Sequence, residues 1–182
     1  MPESITINKS ISKEEKYKQL LPQIKSLIDG ENDLTANLAN ICAALKYGMD
    51  KFFWVGFYLR KDDESASKPD SATAELILGP FQGPVACTRI KIPDGVCGTA
   101  VKEMRTIIVD DVNTFPGHIA CSADSKSEIV VPIYSNVAAP FTGAKPEIFG
   151  VLDVDSDSFS NFDSTDAKYL EEICSIVSEL TP

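Results

Sequence analysis

The apolar residues of this chain change their spacing twice along its length, and that change bounds what it can fold into. Between Ser12 and Gly30 they recur at helical intervals as Tyr17, Leu20, Leu21, Ile24, Leu27 and Ile28, a stripe along one side of an α-helix. Ser12 with Glu15 has the form of a capping box, Pro22 predicts a kink and Gly30 a stop. Residues 33 to 47 repeat the pattern through Leu34, Leu38, Ile41, Cys42 and Leu45, with Gly48 as terminator. A last helix over residues 164 to 180 buries Leu170, Ile173, Cys174, Val177 and Leu180 behind a cap at Asp163 or Ser164. Between these helices the period drops to two. KFFWVGFYLR (51–60), AELILGPF (74–81), VACTRIKI (85–92), RTIIVDD (105–111), SEIVVPIYS (127–135) and EIFGVLDVDS (147–156) read as strands, rich in β-branched and aromatic residues and bounded by turn formers. Only GVCGTAVKEM (95–104) interrupts them with a helical signal. The fold class is therefore α+β: about six strands in an antiparallel sheet, the N- and C-terminal helices on one face and the other face free to hold a ligand pocket.

At 182 residues and 43% hydrophobic content, one core and one domain are expected. It divides into N-terminal helices (1–50), sheet and pocket loops (51–160) and a C-terminal helix (161–182). Lys and Arg number 17 against 27 Asp and Glu, a formal charge of -10. This is not the phosphate-neutralising surface of a nucleic-acid binder. The N-terminus lacks the apolar core of a secretory signal, and no run of roughly 18 apolar residues suggests a membrane span. A cytoplasmic protein with neither nucleic-acid nor membrane partner is expected. In a reducing compartment, an odd count of five cysteines argues against a structural disulfide framework.

Strand parity says which side chains share a wall. Trp54, Gly56 and Tyr58 share one, and the missing side chain at Gly56 leaves a gap between two aromatic rings. Glu128 aligns with Val130 and Pro132, opposite the apolar Ile129, Val131 and Ile133. Asp153 and Asp155 align with Val151, opposite Leu152 and Val154. Acids pointing away from a core usually meet only water. Three on one inferred wall beside aromatic rings suit an amine, and a zwitterionic amino acid fits if loop N–H groups receive its carboxylate.

Cys42 and Cys174 sit on the buried helical stripes and read as packing residues. Cys87, Cys97 and Cys121 differ: Gly, Pro and polar residues surround them, placing them at strand ends and loops. Three readings stay open. Converging thiols could carry out thiol–disulfide chemistry, a two-electron reduction that needs a dithiol reductant to reset. With His118 they form a Cys3His zinc set, although only the H-x-x-C of His118 and Cys121 has a short spacing. They could also be incidental. His118, close to Cys121 in sequence, could as a cation raise the thiolate fraction there.

Taken together, WVGFY (54–58), GPFQGPVAC (79–87), GVCGTA (95–100), FPGHIACSADSKSEIVVP (115–132) and GVLDVDS (150–156) resemble the free methionine-(R)-sulfoxide reductase family, which is built on a GAF domain. The resemblance implies a GAF-like domain over 1–182 and reduction of free methionine-(R)-sulfoxide without a cofactor or metal. It implies Cys121 as the attacking thiol, with Cys87 favoured over Cys97 as resolving thiol, and thioredoxin as reductant. It assigns Glu128, Asp153 and Asp155 to the ammonium and sulfoxide ends of the substrate, and Trp54 with Tyr58 to its methyl and thioether portion. The stretches Lys61–Ala74 and Ala138–Pro146 look longer than the family minimum. Homodimers are frequent among GAF proteins, yet no interface is legible here. The rival functions are a GAF-type small-ligand or redox-sensing module without turnover and a zinc-stabilised interaction domain.

Overall fold

The computed structural model describes residues 5–62, 74–119, 122–135 and 147–181. Two helices, α1 (Lys13–Ile28) and α2 (Leu34–Gly48), precede strands β1 (Trp54–Lys61), β2 (Glu75–Gln82) and β3 (Arg89–Lys91). Helix α3 (Gly95–Glu103), strand β4 (Ile107–Val109) and a short 3₁₀ turn (Val112–Thr114) follow, then β5 (Ser127–Tyr134), β6 (Ile148–Ser156) and helix α4 (Ser164–Leu180). The strands form one six-stranded sheet in the order β3-β2-β1-β6-β5-β4, antiparallel throughout.

Helices α1, α2 and α4 cover one face. Leu20 and Ile24 of α1, Leu38 and Leu45 of α2, and Leu170 and Ile173 of α4 pack with Val55, Phe57, Ile129, Val131, Leu152 and Val154, the alternate residues of the three central strands. On the opposite face α3 supplies Val96, Ala100 and Val101 against Trp54, Tyr58, Val130 and Val151. Ends are tied by polar groups. Ser12 and Glu15 form the capping box of α1, and Asp163 rather than Ser164 caps α4. The Tyr17 hydroxyl donates to the wholly buried Asp166 at 2.9 Å, joining α1 to α4.

Pro22 lies inside α1, which runs on to Ile28. Three local expectations are corrected. Gly48 is the last residue of α2 rather than its stop; a Cβ there would stand 3.1 Å from Leu20 Cδ1, so the glycine serves close packing of two helices. The strand read over 85–92 is in register with β2 only at Arg89–Lys91, and within it the Cys87 carbonyl accepts from the Tyr58 hydroxyl of β1. Cys97 stands in the first turn of α3, not on a loop. The two longer stretches connect antiparallel neighbours, β1 to β2 and β5 to β6; residues 63–73 of the first and all of the second lie outside the described residues.

Candidate active site

Backbone register brings the acids together. Glu128 on β5 stands opposite Asp155 on β6, and Val130 opposite Asp153; on the other side of β6, Asp155 pairs with Trp54 and Asp153 with Gly56. All three carboxyls therefore share the face away from α1, α2 and α4, as parity requires. They line a cleft closed by the first turn of α3, by Val85 and Ala86, and by His118, Ile119, Ser122 and Ser125. Its walls bound about 520 Å³ of space, part of it open to solvent. Glu128 and Asp153 are 6% and 7% exposed, while Asp155 is less enclosed.

Burial without a cationic partner raises carboxyl pKa values, and neighbouring negative charge raises them further. Glu128 is held well above the usual range by burial, then by the charges of Asp153 and Asp155. Asp153 is also held well above it by burial and by Asp155, with hydrogen bonds from Cys97 and Glu128 working against the rise. Asp155 rises least, to about 6, through burial opposed by a hydrogen bond from Ser125. Among the described residues, Asp153 Oδ1 is one of two buried side-chain oxygens without a hydrogen-bond partner. An orphaned buried acceptor costs free energy, and this one belongs to a residue that lines the pocket.

The aromatic wall differs from the expectation at one point. Gly56 leaves no gap, because the Trp54 ring lies over it: a Cβ at Gly56 would stand 2.2 Å from Trp54 Cη2. The indole stacks between Tyr58 and Phe81, with ring centroids 6.0 and 5.5 Å away. Its N–H donates to the Pro84 carbonyl at 3.1 Å, and the Tyr58 hydroxyl donates to the Cys87 carbonyl at 3.0 Å. The rings form the wall while their polar atoms are committed to the segment that carries Cys87.

Known proteins are similar to this chain in sequence and fold. The GAF domain family model matches residues 31–180. GAF domain-containing protein A of Dictyostelium discoideum is 52% identical over 177 residues, 97% of this chain and 99% of that protein. The free methionine-R-sulfoxide reductase of Saccharomyces cerevisiae is 37% identical over 179 residues, 96% of this chain and 91% of that protein. A crystal structure of the free methionine-R-sulfoxide reductase of Neisseria meningitidis in complex with its substrate is 44% identical, covers 97% of this chain and 95% of that chain, and superposes with a TM-score of 0.80. The chain belongs to the free methionine-(R)-sulfoxide reductase family of GAF proteins.

In this reductase-family chain the thiols have unequal surroundings. Cys87 is half-buried and disulfide-bonded, whereas Cys42, Cys97 and Cys174 are free thiols; Cys121 lies outside the described residues. Burial pushes the Cys97 thiol well up, and the charges of Asp153, Glu128 and Asp155 push it further. Such a thiol is a poor nucleophile even at a helix N-terminus. A disulfide-bonded Cys87 has no thiolate to offer zinc, which removes one ligand from the Cys3His set. Cys97, Glu128 and Asp153 do bring ligand atoms within 4.8 Å of one another. Burial raises the pKa of all three, and metal ligation requires the loss of their protons. His118 lines the pocket with Nε2 4.0 Å from Glu128 Oε2. Partial burial lowers its pKa, which works against a standing imidazolium.

Two features of this reductase-family site escaped sequence reading. Ser125, which binds Asp155, carries no signal apart from the many other serines. Gly83 was readable only as a turn former; its φ of 146° and the 2.4 Å that would separate a Cβ from Trp54 Cδ1 show a second close approach to the indole.

Proposed function

We propose that this protein reduces free methionine-(R)-sulfoxide to methionine, with Cys121 as the attacking thiol, Cys87 as the resolving thiol and a thioredoxin-type dithiol protein as reductant. The observation that carries the reading is the unpartnered Asp153 oxygen among three raised carboxyls, beside an aromatic wall and the Cys87 segment. Asp155, with the lowest pKa of the three, is the carboxyl most ionised near neutral pH and meets the substrate ammonium. Glu128 and Asp153 hold protons there, and either can donate to the sulfoxide oxygen as negative charge builds on it. The Trp54 ring offers the thioether and methyl group an apolar face. An ammonium facing enclosed acids favours a free amino acid, since a peptide-linked residue would leave those acids unpaired.

Atoms and electrons balance. The Cys121 thiol takes the sulfoxide oxygen, giving methionine and a cysteine sulfenic acid; the Cys87 thiol then displaces the hydroxyl as water and closes the disulfide. The external dithiol reopens it by exchange. This cycle belongs in the cytoplasm, where such dithiols are kept reduced; no helix of the described residues is long and apolar enough to cross a membrane.

The test is methionine formation from the separated epimers of free methionine sulfoxide, with thioredoxin and its reductase as electron supply. Turnover of the R epimer and its loss in Cys121→Ser support the reading. Retained turnover in that variant overturns it, and tight binding without turnover assigns the protein to the GAF sensory modules.

A further inference from the structure

Between β2 and β3 the main chain leaves the sheet at Gly83 and crosses the aromatic wall before Arg89 rejoins a ladder. Two side chains of β1 hold this strap from beneath, through the Trp54 N–H on the Pro84 carbonyl and the Tyr58 hydroxyl on the Cys87 carbonyl. Both donors are rigid. Trp54 and Tyr58 are 4% and 1% exposed, and β1 is paired on both sides, with β2 and β6.

We propose that the Tyr58 hydroxyl is a positioning group for disulfide closure, with the Trp54 N–H as a second peg, and that it holds the main chain of the resolving cysteine at the pocket rim. This rests on the roles of Cys121 and Cys87 proposed above. Only one rotatable bond, χ1, separates a cysteine main chain from its sulfur, so fixing the Cys87 carbonyl leaves that sulfur few positions. A sulfenic acid at Cys121 then meets a thiol already in place, which lowers the entropic part of the barrier. In the step itself the Cys87 sulfur forms the S–S bond, the S–O bond of the sulfenic acid breaks, and its hydroxyl leaves as water with the Cys87 proton. The oxidising equivalents come from the sulfoxide, and Tyr58 gains and loses nothing. Burial raises the Tyr58 pKa, so the phenol remains a donor throughout.

Reduced protein mixed with one equivalent of free methionine-(R)-sulfoxide, with no reductant present, separates the two steps. Rapid quenching counts methionine and disulfide per chain, and dimedone traps sulfenic acid. In the wild type, disulfide should keep pace with methionine. In Tyr58→Phe, which keeps the ring, the rate of disulfide formation relative to methionine release should fall roughly five- to tenfold, the effect of one lost hydrogen bond, and dimedone should label Cys121. Trp54→Phe should shift the same ratio in the same direction, and it decides the matter if Tyr58→Phe melts below the assay temperature. An unchanged ratio in the folded variant overturns the positioning role and leaves the catalytic reading intact. A wild-type protein that releases no methionine overturns both. Uniform loss of fold would lower the two rates together and leave their ratio unmoved.

Discussion

Glu128 and Asp155 face each other directly across the β5–β6 pair, on the same side of the sheet. Two carboxylates so placed repel, and burial together with that repulsion raises the pKa of both groups. On the proposed reading, raised carboxyls beside the unpartnered Asp153 oxygen suit a substrate that brings both a positive charge and an oxygen to be protonated.

The contribution of the acidic wall to folding stability should fall as pH rises from about 4 towards neutrality, against the opposite effect of the lowered His118 pKa. All three carboxyl pKa values are raised in the folded protein, so it retains protons that the unfolded chain releases near pH 4. Where the native state binds more protons, stability declines with pH. The decline begins at the ordinary carboxyl values and continues through about 6 for Asp155, and to higher pH for Glu128 and Asp153. Asp155→Asn should flatten the slope and add on the order of 1–2 kcal/mol at pH 7, at the cost of substrate binding. Urea unfolding between pH 5 and 8 checks both, and stability that climbs over this range would contradict the shared-proton wall.

Asp153→Asn and Glu128→Gln keep shape and remove a titrating proton. Each should reduce kcat/KM for free methionine-(R)-sulfoxide by roughly 100-fold or more, the usual weight of a general acid, with the thermal midpoint maintained or raised. A pH–rate profile should lose its alkaline limb in whichever variant removes the donor.

Cys87 and Cys97 should separate cleanly. Cys87→Ser should release up to one methionine per chain and then stall with a dimedone-reactive Cys121, lowering thioredoxin-supported turnover at least tenfold. Cys97→Ala should keep the disulfide and most of the turnover, because the proposed cycle resolves through Cys87 and the Cys97 thiol is buried with a raised pKa. Quench-flow counting of methionine and free thiols distinguishes them.

Gly56→Ala places a methyl group 2.2 Å from Trp54 Cη2 and 2.6 Å from Phe81 Cβ. The indole must move, so stability should drop by about 1–3 kcal/mol, the range for overpacking, and KM should rise as the aromatic wall tilts. Denaturant midpoints and tryptophan fluorescence report the two effects; Trp54 is the sole tryptophan.

Most of the scaffold, and the shared wall of Glu128, Asp153 and Asp155, followed from the sequence by itself. Helical stripes and alternating strands are set by neighbours a few residues apart, and the period of two assigns a face as soon as a strand is recognised. Only the tertiary structure decided that Trp54 covers Gly56, that Cys97 hydrogen-bonds Asp153, and that Tyr58 reaches 29 residues along the chain to hold the main chain at Cys87. Those relations depend on which strands become neighbours and on how far burial strips water from charged groups, and neither quantity exists until distant segments have packed.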